Sequence, residues 1–224
     1  MDGTGRSLLD IGCGEGWVLA YFHEHGWQVE GFDFSSYGIE HQNKAMLPYF
    51  TQGDVFELCD RRIDEGQTYD VLNMDNVLEH VTDPEAILKK CAGLLKTGGL
   101  LCVCVPNDCN PLQDYLREQH LVTREKWISP LEHLSYFNKD GLTALAEACG
   151  LRTRKVLGVD MIELFKLNPD TNYDDHPEIG HGCHVARRHW EKLTRGISME
   201  KKLRLCEALG DMHLGREIVA VFEK

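Results

Sequence analysis

The chain has 224 residues, of which 36 are acidic and 24 are basic, so its formal net charge is −12. This length suits one domain better than two. An apolar content of 42% is enough for a hydrophobic core and argues against a disordered chain. The acidic excess argues against nucleic acid as the main partner, because proteins that bind phosphate backbones present a basic face.

The sequence shows no sign of a membrane helix or of an export signal. Its longest apolar run, 100–106, is far shorter than the roughly 20 residues that cross a bilayer, and its first residues are polar. Nine cysteines are scattered through apolar segments without a CxxC pair, which favours reduced thiols and argues against a structural zinc site. We therefore expect a cytoplasmic protein without membrane insertion.

Short apolar segments and turn residues alternate along the first two thirds of the chain. Strands are predicted at 7–11, 28–33, 50–51, 69–74, 100–105, 151–157 and 218–222. Helices are predicted at about 17–25, from Asp83 and Pro84 to about Leu95, at 138–149 with Asn138 as its cap, and at 199–209. This alternation predicts an α/β fold with a parallel sheet and helices on both faces. The segment 106–135 has three prolines and no clean period, which indicates an insertion or lid.

A glycine-rich loop between the first strand and the first helix is the sharpest local signal. Asp10, Gly12, Gly14 and Gly16 place flexible backbone at the carboxyl end of a strand, where open α/β folds bind ligands. Asp33 ends the second strand, from which a carboxylate can accept hydrogen bonds from both hydroxyls of a ribose. A further acidic residue, Asp54, follows Gly53 at the next strand end.

These motifs, together with 69–72, 78–81 and 94–100, occur in an order that resembles the class I S-adenosylmethionine (SAM)-dependent methyltransferases over about residues 7–158 and the last strand. The resemblance implies a Rossmann-like sheet of seven strands, mostly parallel with the last antiparallel. It implies SAM as cofactor and S-adenosylhomocysteine as product. The glycines would surround the amino-acid part of SAM, Asp10 would lie beneath the loop, Asp33 would hold the ribose, and Asp54 with Val55 would lie beside the adenine. The full cofactor set that we expect is Asp10, Gly12, Cys13, Gly14, Gly16, Asp33, Phe34, Asp54, Val55, Asp75 and Asn76.

The alternative for this loop is the nicotinamide dinucleotide fingerprint, G-x-G-x-x-G. Its third glycine would fall at position 17, which is Trp17. A SAM-binding protein without activity, which supports another enzyme, is a second alternative. The polar residues expected on the acceptor side favour an enzyme over such a partner protein.

Several polar residues are expected near the methyl acceptor. Glu79 and His80 lie in a pattern similar to that of quinone-biosynthesis O-methyltransferases, some of which carry a metal-binding Glu three residues earlier. That position is Asn76 here, so we expect no metal. His80 either acts near the substrate or forms a local hydrogen bond at the start of a helix. Asn107 and Asp108 follow the fifth strand and are expected to contact the acceptor.

His133 is the first candidate for a general base, since it lies in a Glu-His-x-x-x-Phe segment that resembles glycan-linked methyltransferases. Imidazole can accept the proton of an alcohol near neutral pH, and the alternative is a histidine that only holds the lid. His181, His184 and Arg188 would share one helix face if their helix begins early. His184 and Arg188 are therefore candidates for binding an anionic acceptor, and a solvated basic face is the alternative.

We expect one methyltransferase domain over 1–224. Its SAM-binding core would cover about 6–105, 138–158 and 215–223, and a helical cap with the acceptor region would cover about 106–137 and 159–214. The predicted reaction is methyl transfer to an oxygen, or secondarily a nitrogen, of a small molecule. A sugar, sugar nucleotide or glycan in polysaccharide biosynthesis is the first hypothesis, and a quinone or other aromatic acceptor is the second. The oligomeric state does not follow from the sequence.

Overall fold

The computed structural model describes residues 5–224 and shows seven strands and eight α-helices among them. The strands are β1 Ser7–Ile11, β2 Gln28–Asp33, β3 Phe50–Gln52, β4 Tyr69–Asp75, β5 Leu95–Pro106, β6 Arg152–Val159 and β7 Glu217–Glu223. The helices are α1 Trp17–Glu24, α2 Tyr37–Gln42, α3 Val55–Asp64, α4 Pro84–Leu94, α5 Pro111–Glu118, α6 Lys139–Ala148, α7 Gly180–Thr194 and α8 Met199–Asp211. None of these helices is both long and apolar enough to span a membrane.

The seven strands form one sheet in the order β3-β2-β1-β4-β5-β7-β6. Strand β1 pairs in parallel with both β2 and β4, while β3 and β5 extend the parallel sheet on either side. The backbone of Lys224 exchanges hydrogen bonds with Gly98 and Gly99 at the start of β5, and Asn107 at its end bonds to Arg216. Strand β7 is therefore antiparallel to β5, as predicted, and the Rossmann-like fold class is confirmed.

The core of the sheet follows from the apolar strand residues that the sequence placed at 7–11, 69–74 and 100–105. Leu9, Ile11 and Leu72 are fully buried, and burial of such a side chain stabilises a fold by about 1.5–3 kcal/mol. Leu19 of α1 packs in a cluster with Cys13 and Val29. This packing fixes the first helix, and with it the glycine loop, against the first two strands.

Residues 5–224 form two compact units. Unit 1 contains the residues up to 105 together with 143–154 and 220–224, and unit 2 contains 106–142 and 155–219. The predicted cofactor loop lies wholly in unit 1. Helices α5, α7 and α8 lie wholly in unit 2.

The predicted boundaries agree closely for most elements, and two of the differences have clear physical causes. Residues 96–99, between the predicted helix that ends near Leu95 and the predicted strand 100–105, lie inside β5, which begins at Leu95. A β-bulge opposite Tyr69 and Val71 accommodates the extra residues. Segment 106–135 is not irregular throughout, since it contains α5. That helix has a capping box in which Asn110 and Gln113 bond to each other's backbone. Helices α2 and α3 were not predicted.

Candidate functional site

The glycine loop of unit 1 is held from below by the neighbouring strand. The backbone N–H groups of Gly12 and Cys13 both donate to the carbonyl oxygen of Phe32, at 2.8 and 2.9 Å. Gly12 has φ +76°, and a Cβ built there would lie 2.2 Å from Cγ2 of Val77. The loop therefore needs glycine at this position for both conformation and space.

The second loop glycine faces open space instead. Gly14 has φ +50°, and a Cβ built there would meet no heavy atom within 4 Å. Its N–H donates to Oδ2 of Asp33 at 2.9 Å, and the N–H of Ser35 donates to Oδ1 of the same carboxylate at 2.9 Å. The carboxylate is thus fixed beside the open side of the loop, where a ligand can reach both groups.

The other predicted cofactor residues surround this opening on the carboxyl side of the strands. Phe34 is 81% exposed, an unusual state for a phenylalanine that follows a buried strand. Asp54 caps α3, with Oδ1 accepting from the backbone of Phe56 and Glu57, and this places Val55 at the first position of the helix. The amide of Asn76 donates to Asp75 at 3.0 Å at the end of β4.

Asp10 lies under the loop and is 2% exposed. Burial raises the pKa of its carboxyl to about 7, with the nearby Asp75 and Asp33 adding to the increase and a hydrogen bond from Asn73 opposing it. The carboxylate of Asp33 makes the open side of the loop a place where positive charge is favoured. The positively charged sulfur of SAM suits such a surrounding.

The residues present therefore fit a nucleoside ligand with a charged amino-acid tail. The open face of Gly14 leaves room for the tail, the fixed carboxylate of Asp33 can accept from a ribose, and the exposed ring of Phe34 can cover a base. The residue assignments themselves stay predictions.

The two predicted catalytic histidines lie on different units. His80 belongs to unit 1, where its half-exposed ring lies 3.7 Å from a carboxylate oxygen of the buried Glu79. His133 belongs to unit 2, is partly buried and lies 6.2 Å from the ring of Tyr136, measured between centroids. Their assignment as proton acceptors is a prediction.

The two residues after β5 are buried in unit 2. The side chain of Asn107 donates to the backbone oxygens of His213 and Gly215 at 3.0 and 2.9 Å, and it is 1% exposed. The backbone of Asp108 donates to the oxygen of Phe137 at 2.7 Å. The side chain of Asn107 therefore connects the end of β5 to the loop before β7. Contact with an acceptor stays a prediction for both residues.

Helix α7 begins at Gly180, before His181, which meets the condition for His181, His184 and Arg188 to share a face. His184 is partly buried, and one of its ring nitrogens lies 3.1 Å from a guanidinium nitrogen of Arg187. Arg188 is exposed.

Sequence reasoning missed Arg187, which forms an ion pair with Asp160 at 3.0 Å. Asp160 follows β6 with φ +56°, a conformation that is uncommon for a residue other than glycine. The sequence shows that His184 and Arg187 are three residues apart. It does not show that Arg187 pairs with Asp160, which lies 27 residues earlier.

Comparison with known proteins places these features in a family. Residues 2–156 match the family described as "Methyltransferase domain". A ubiquinone biosynthesis O-methyltransferase of Aeromonas salmonicida is 31% identical over 185 residues, which cover 75% of this chain and 74% of that protein. A protein of the same name from Coxiella burnetii is 27% identical over 165 residues, covering 69% and 67% of the two chains.

Solved structures share the fold. A SAM-dependent methyltransferase from Archaeoglobus fulgidus superposes with a TM-score of 0.62 at 21% identity, covering 100% of this chain and 88% of its own. A second SAM-dependent methyltransferase, from Mesorhizobium loti, gives 0.55 at 14% identity, covering 100% and 93%. The fold, the glycine loop with its aspartates and the family match lead to one assignment: the chain is an enzyme that belongs to the class I SAM-dependent methyltransferases, with SAM as its cofactor.

Proposed function

We propose that the enzyme transfers the methyl group of SAM to a hydroxyl oxygen of a small molecule. The observation that carries this proposal is the match to O-methyltransferases over about three quarters of both chains. Segment 78–81, with Glu79 and His80, is part of the pattern on which the resemblance to these enzymes rests.

SAM supplies a methyl group on a positively charged sulfur. The acceptor oxygen takes this methyl group in line with the departing sulfur and loses its proton, so the enzyme has to align the hydroxyl and receive the proton. An imidazole suits this role because its ordinary pKa lies near neutrality. His133 is our first candidate. His80 is the second, because the carboxylate of Glu79 beside it can orient the ring.

The acceptor that the observations now favour is the hydroxyl group of a quinol or another aromatic ring. The sequence alone had put a sugar or glycan first and an aromatic acceptor second. The relatives are named for ubiquinone biosynthesis. Unit 2 contains an open cavity of about 820 Å³ whose wall includes Phe165, Trp190 and Leu209. Arg187 and Asp160, which also line it, are paired with each other. A mostly apolar wall of this size suits an aromatic or aliphatic ligand.

An anionic sugar or sugar nucleotide is the second candidate. It is supported by Arg188, an exposed guanidinium for which the described residues provide no ion pair. An unpaired guanidinium fork suits a phosphate or carboxylate. Measuring sugar-nucleotide binding by Arg188→Ala, with exposed Arg61→Ala of α3 as matched control, separates the two candidates. Equal affinities for both variants and the wild type would remove this second candidate.

We also propose a cytoplasmic location. All nine cysteines are free thiols, and five of them are buried, which suits a reducing compartment.

The test of the reaction is a screen of acceptors by mass spectrometry, with catechols, quinols and sugar nucleotides incubated with SAM. We expect a mass increase of one methyl group on a hydroxylated ring. His133→Ala should then lower kcat by about 100-fold or more, as for loss of a general base, while SAM affinity is unchanged. His176→Ala, another histidine of unit 2 that is exposed and lies beside Glu178, is the matched control.

Four outcomes would contradict the proposal or one of its parts. SAM binding without methylation of any acceptor would favour a partner protein that supports another enzyme. Methylation of amines alone would exclude the oxygen acceptor. A product that forms as fast with His133→Ala and with His80→Ala as with the wild type would show that neither imidazole receives the proton. Activity lost on treatment with EDTA would overturn the expectation of a reaction without metal.

A further inference from the structure

The end of the helical hairpin formed by α7 and α8 differs in charge from the rest of the protein. We define the hairpin tip as residues 190–204, which contain the end of α7, the connecting turn and the first residues of α8. The tip has five basic and two acidic residues, so it carries a net charge of +3 in a chain whose total is −12. The tip is therefore a local cationic surface on a protein whose overall charge is strongly negative.

Large apolar side chains are exposed at the same place. The exposed fractions of Trp190, Leu193, Ile197 and Met199 are 52, 74, 42 and 68%. Single exposed apolar residues are normal on a protein surface, but four within ten residues form a patch. The spacing of three residues puts Trp190 and Leu193 on one side of α7, and Ile197 and Met199 continue from the turn into α8.

The cations of the tip are mostly not neutralised by the protein itself. Arg204 pairs with Glu200 at 2.5 Å. Four basic side chains have no ion pair with any residue that the structure describes: Lys192, Arg195, Lys201 and Lys202. They are therefore available to an anionic partner.

We propose that the hairpin tip docks onto the surface of an anionic lipid bilayer. The apolar side chains at the turn would enter the headgroup region, and the unpaired Lys and Arg side chains around them would contact lipid phosphates. A purely electrostatic partner such as a nucleic acid would not need Leu193, Ile197 or Met199 in water. Docking is peripheral, since none of the described helices could cross the bilayer.

The test is sedimentation of the purified protein with phosphatidylcholine vesicles that contain or lack phosphatidylglycerol. We expect binding to the anionic vesicles, weakened by high salt, and little binding to the neutral ones. The paired variant Lys192→Glu/Arg195→Glu should bind anionic vesicles roughly tenfold or more weakly. Leu193→Ser should weaken binding at any salt concentration. Thermal unfolding of each variant checks that the fold is kept.

Two matched controls remove charge or apolar surface elsewhere. Arg61→Glu/Lys89→Glu changes exposed cations of α3 and α4, and Leu131→Ser changes a side chain that is 99% exposed. Both should bind vesicles as the wild type does. Equal binding to neutral and anionic vesicles would overturn the proposal, as would tip variants that bind like the wild type. A change in solution mass with tip substitution, without vesicle binding, would assign the tip to self-association instead.

Discussion

The carboxylate of Asp33 is the single side chain on which we expect cofactor affinity to depend most. It accepts hydrogen bonds from the backbone of Gly14 and Ser35, and it closes the second strand. Asp33→Asn keeps the shape but loses the charge and one acceptor. We expect the dissociation constant for SAM to rise about 10- to 100-fold, as for a lost charged hydrogen bond.

Isothermal calorimetry with SAM measures this change. Asp64→Asn, at the exposed end of α3, is the matched control and should bind as the wild type does. An Asp33→Asn variant with unchanged SAM affinity would show that the ribose lies elsewhere.

Asp10 makes the stability of the fold depend on pH. Burial raises the pKa of its carboxyl from 3.8 to about 7, so the folded chain retains a proton that the unfolded chain releases. Stability from this group is fully present below pH 3.8 and is lost as pH rises to about 7. The full loss is roughly 4 kcal/mol at most.

Asp10→Asn cannot release this proton. We therefore expect the difference in free energy of unfolding between this variant and the wild type to change across that pH window and to level off above it. Urea unfolding at a series of pH values measures it. A difference that is independent of pH would mean that the pKa of Asp10 is the same in the folded and the unfolded chain.

Local sequence was enough to predict some of the candidate site residues but not others. Asp10, Gly14 and Asp33 could be chosen from the sequence because each follows a strand that its own apolar neighbours define. Arg187 could not be chosen, since its partner Asp160 is distant in the chain and acquires its position from an unusual backbone turn. An ion pair between side chains of different elements can be identified only from the three-dimensional structure.

At the level of elements, the loop between β1 and α1 contains two glycines with different roles. Gly12 is required by the packing, whereas Gly14 faces the space where we expect the cofactor. A side chain at position 12 would collide with Val77, whereas one at position 14 would enter open space. We expect Gly12→Ala to lower the melting temperature by several degrees, through a clash and a strained φ that together cost about 1–3 kcal/mol. Gly14→Ala should cost less stability but weaken SAM binding more than tenfold.

Thermal unfolding with and without SAM measures both effects for the two variants. Gly66→Ala, at another positive φ with open space after α3, controls for backbone strain alone. If Gly14→Ala binds SAM like the Gly66→Ala control, the open face of the loop does not hold the cofactor.

The elements that the sequence predicted best are those with strong signals at both ends. The cap of α4 is one example, since Asp83 accepts from the backbone of Ala86 at 2.9 Å. Asn138 caps α6 in the same way, by accepting from Gly141. Helix α5 was not predicted, although Asn110, Pro111 and Gln113 form a recognisable start signal for a helix. The helix has only eight residues, which is too few for a helical repeat of apolar residues to be recognised among the neighbouring prolines.

For the whole molecule, the alternation of strands and helices was enough to predict the fold class, because a parallel sheet demands a crossover between strands. The sequence also predicts a SAM-binding core and an acceptor region, each assembled from segments far apart in the chain, and this functional division stays a prediction. The acceptor also stays a proposal, because the cavity in unit 2 combines residues of β6, α7 and α8 that are far apart in the chain.

The nine thiols offer a test of the whole fold. Cys109 is exposed, while Cys13, Cys59, Cys91, Cys149 and Cys183 are buried and the other three are partly buried. Burial also raises the pKa of the Cys13 thiol to about 12, which removes the reactive thiolate. We expect maleimide to label Cys109 first at neutral pH, and all nine thiols only after unfolding in urea.

Mass spectrometry of digested protein locates the labels. Cys59 lies on α3 and Cys91 lies on α4. Rapid labelling of either cysteine without denaturant would contradict the packing of these two helices.

The position of β7 has a consequence for how the protein is made. This strand comes from residues 217–223 but lies between β5 and β6. While the ribosome is still synthesising the chain, β5 and β6 therefore expose unpaired edges that invite aggregation. Completion of the sheet has to wait until residues 217–223 have been synthesised. Chaperone demand during translation should consequently be highest after β6 and before β7 has left the ribosome.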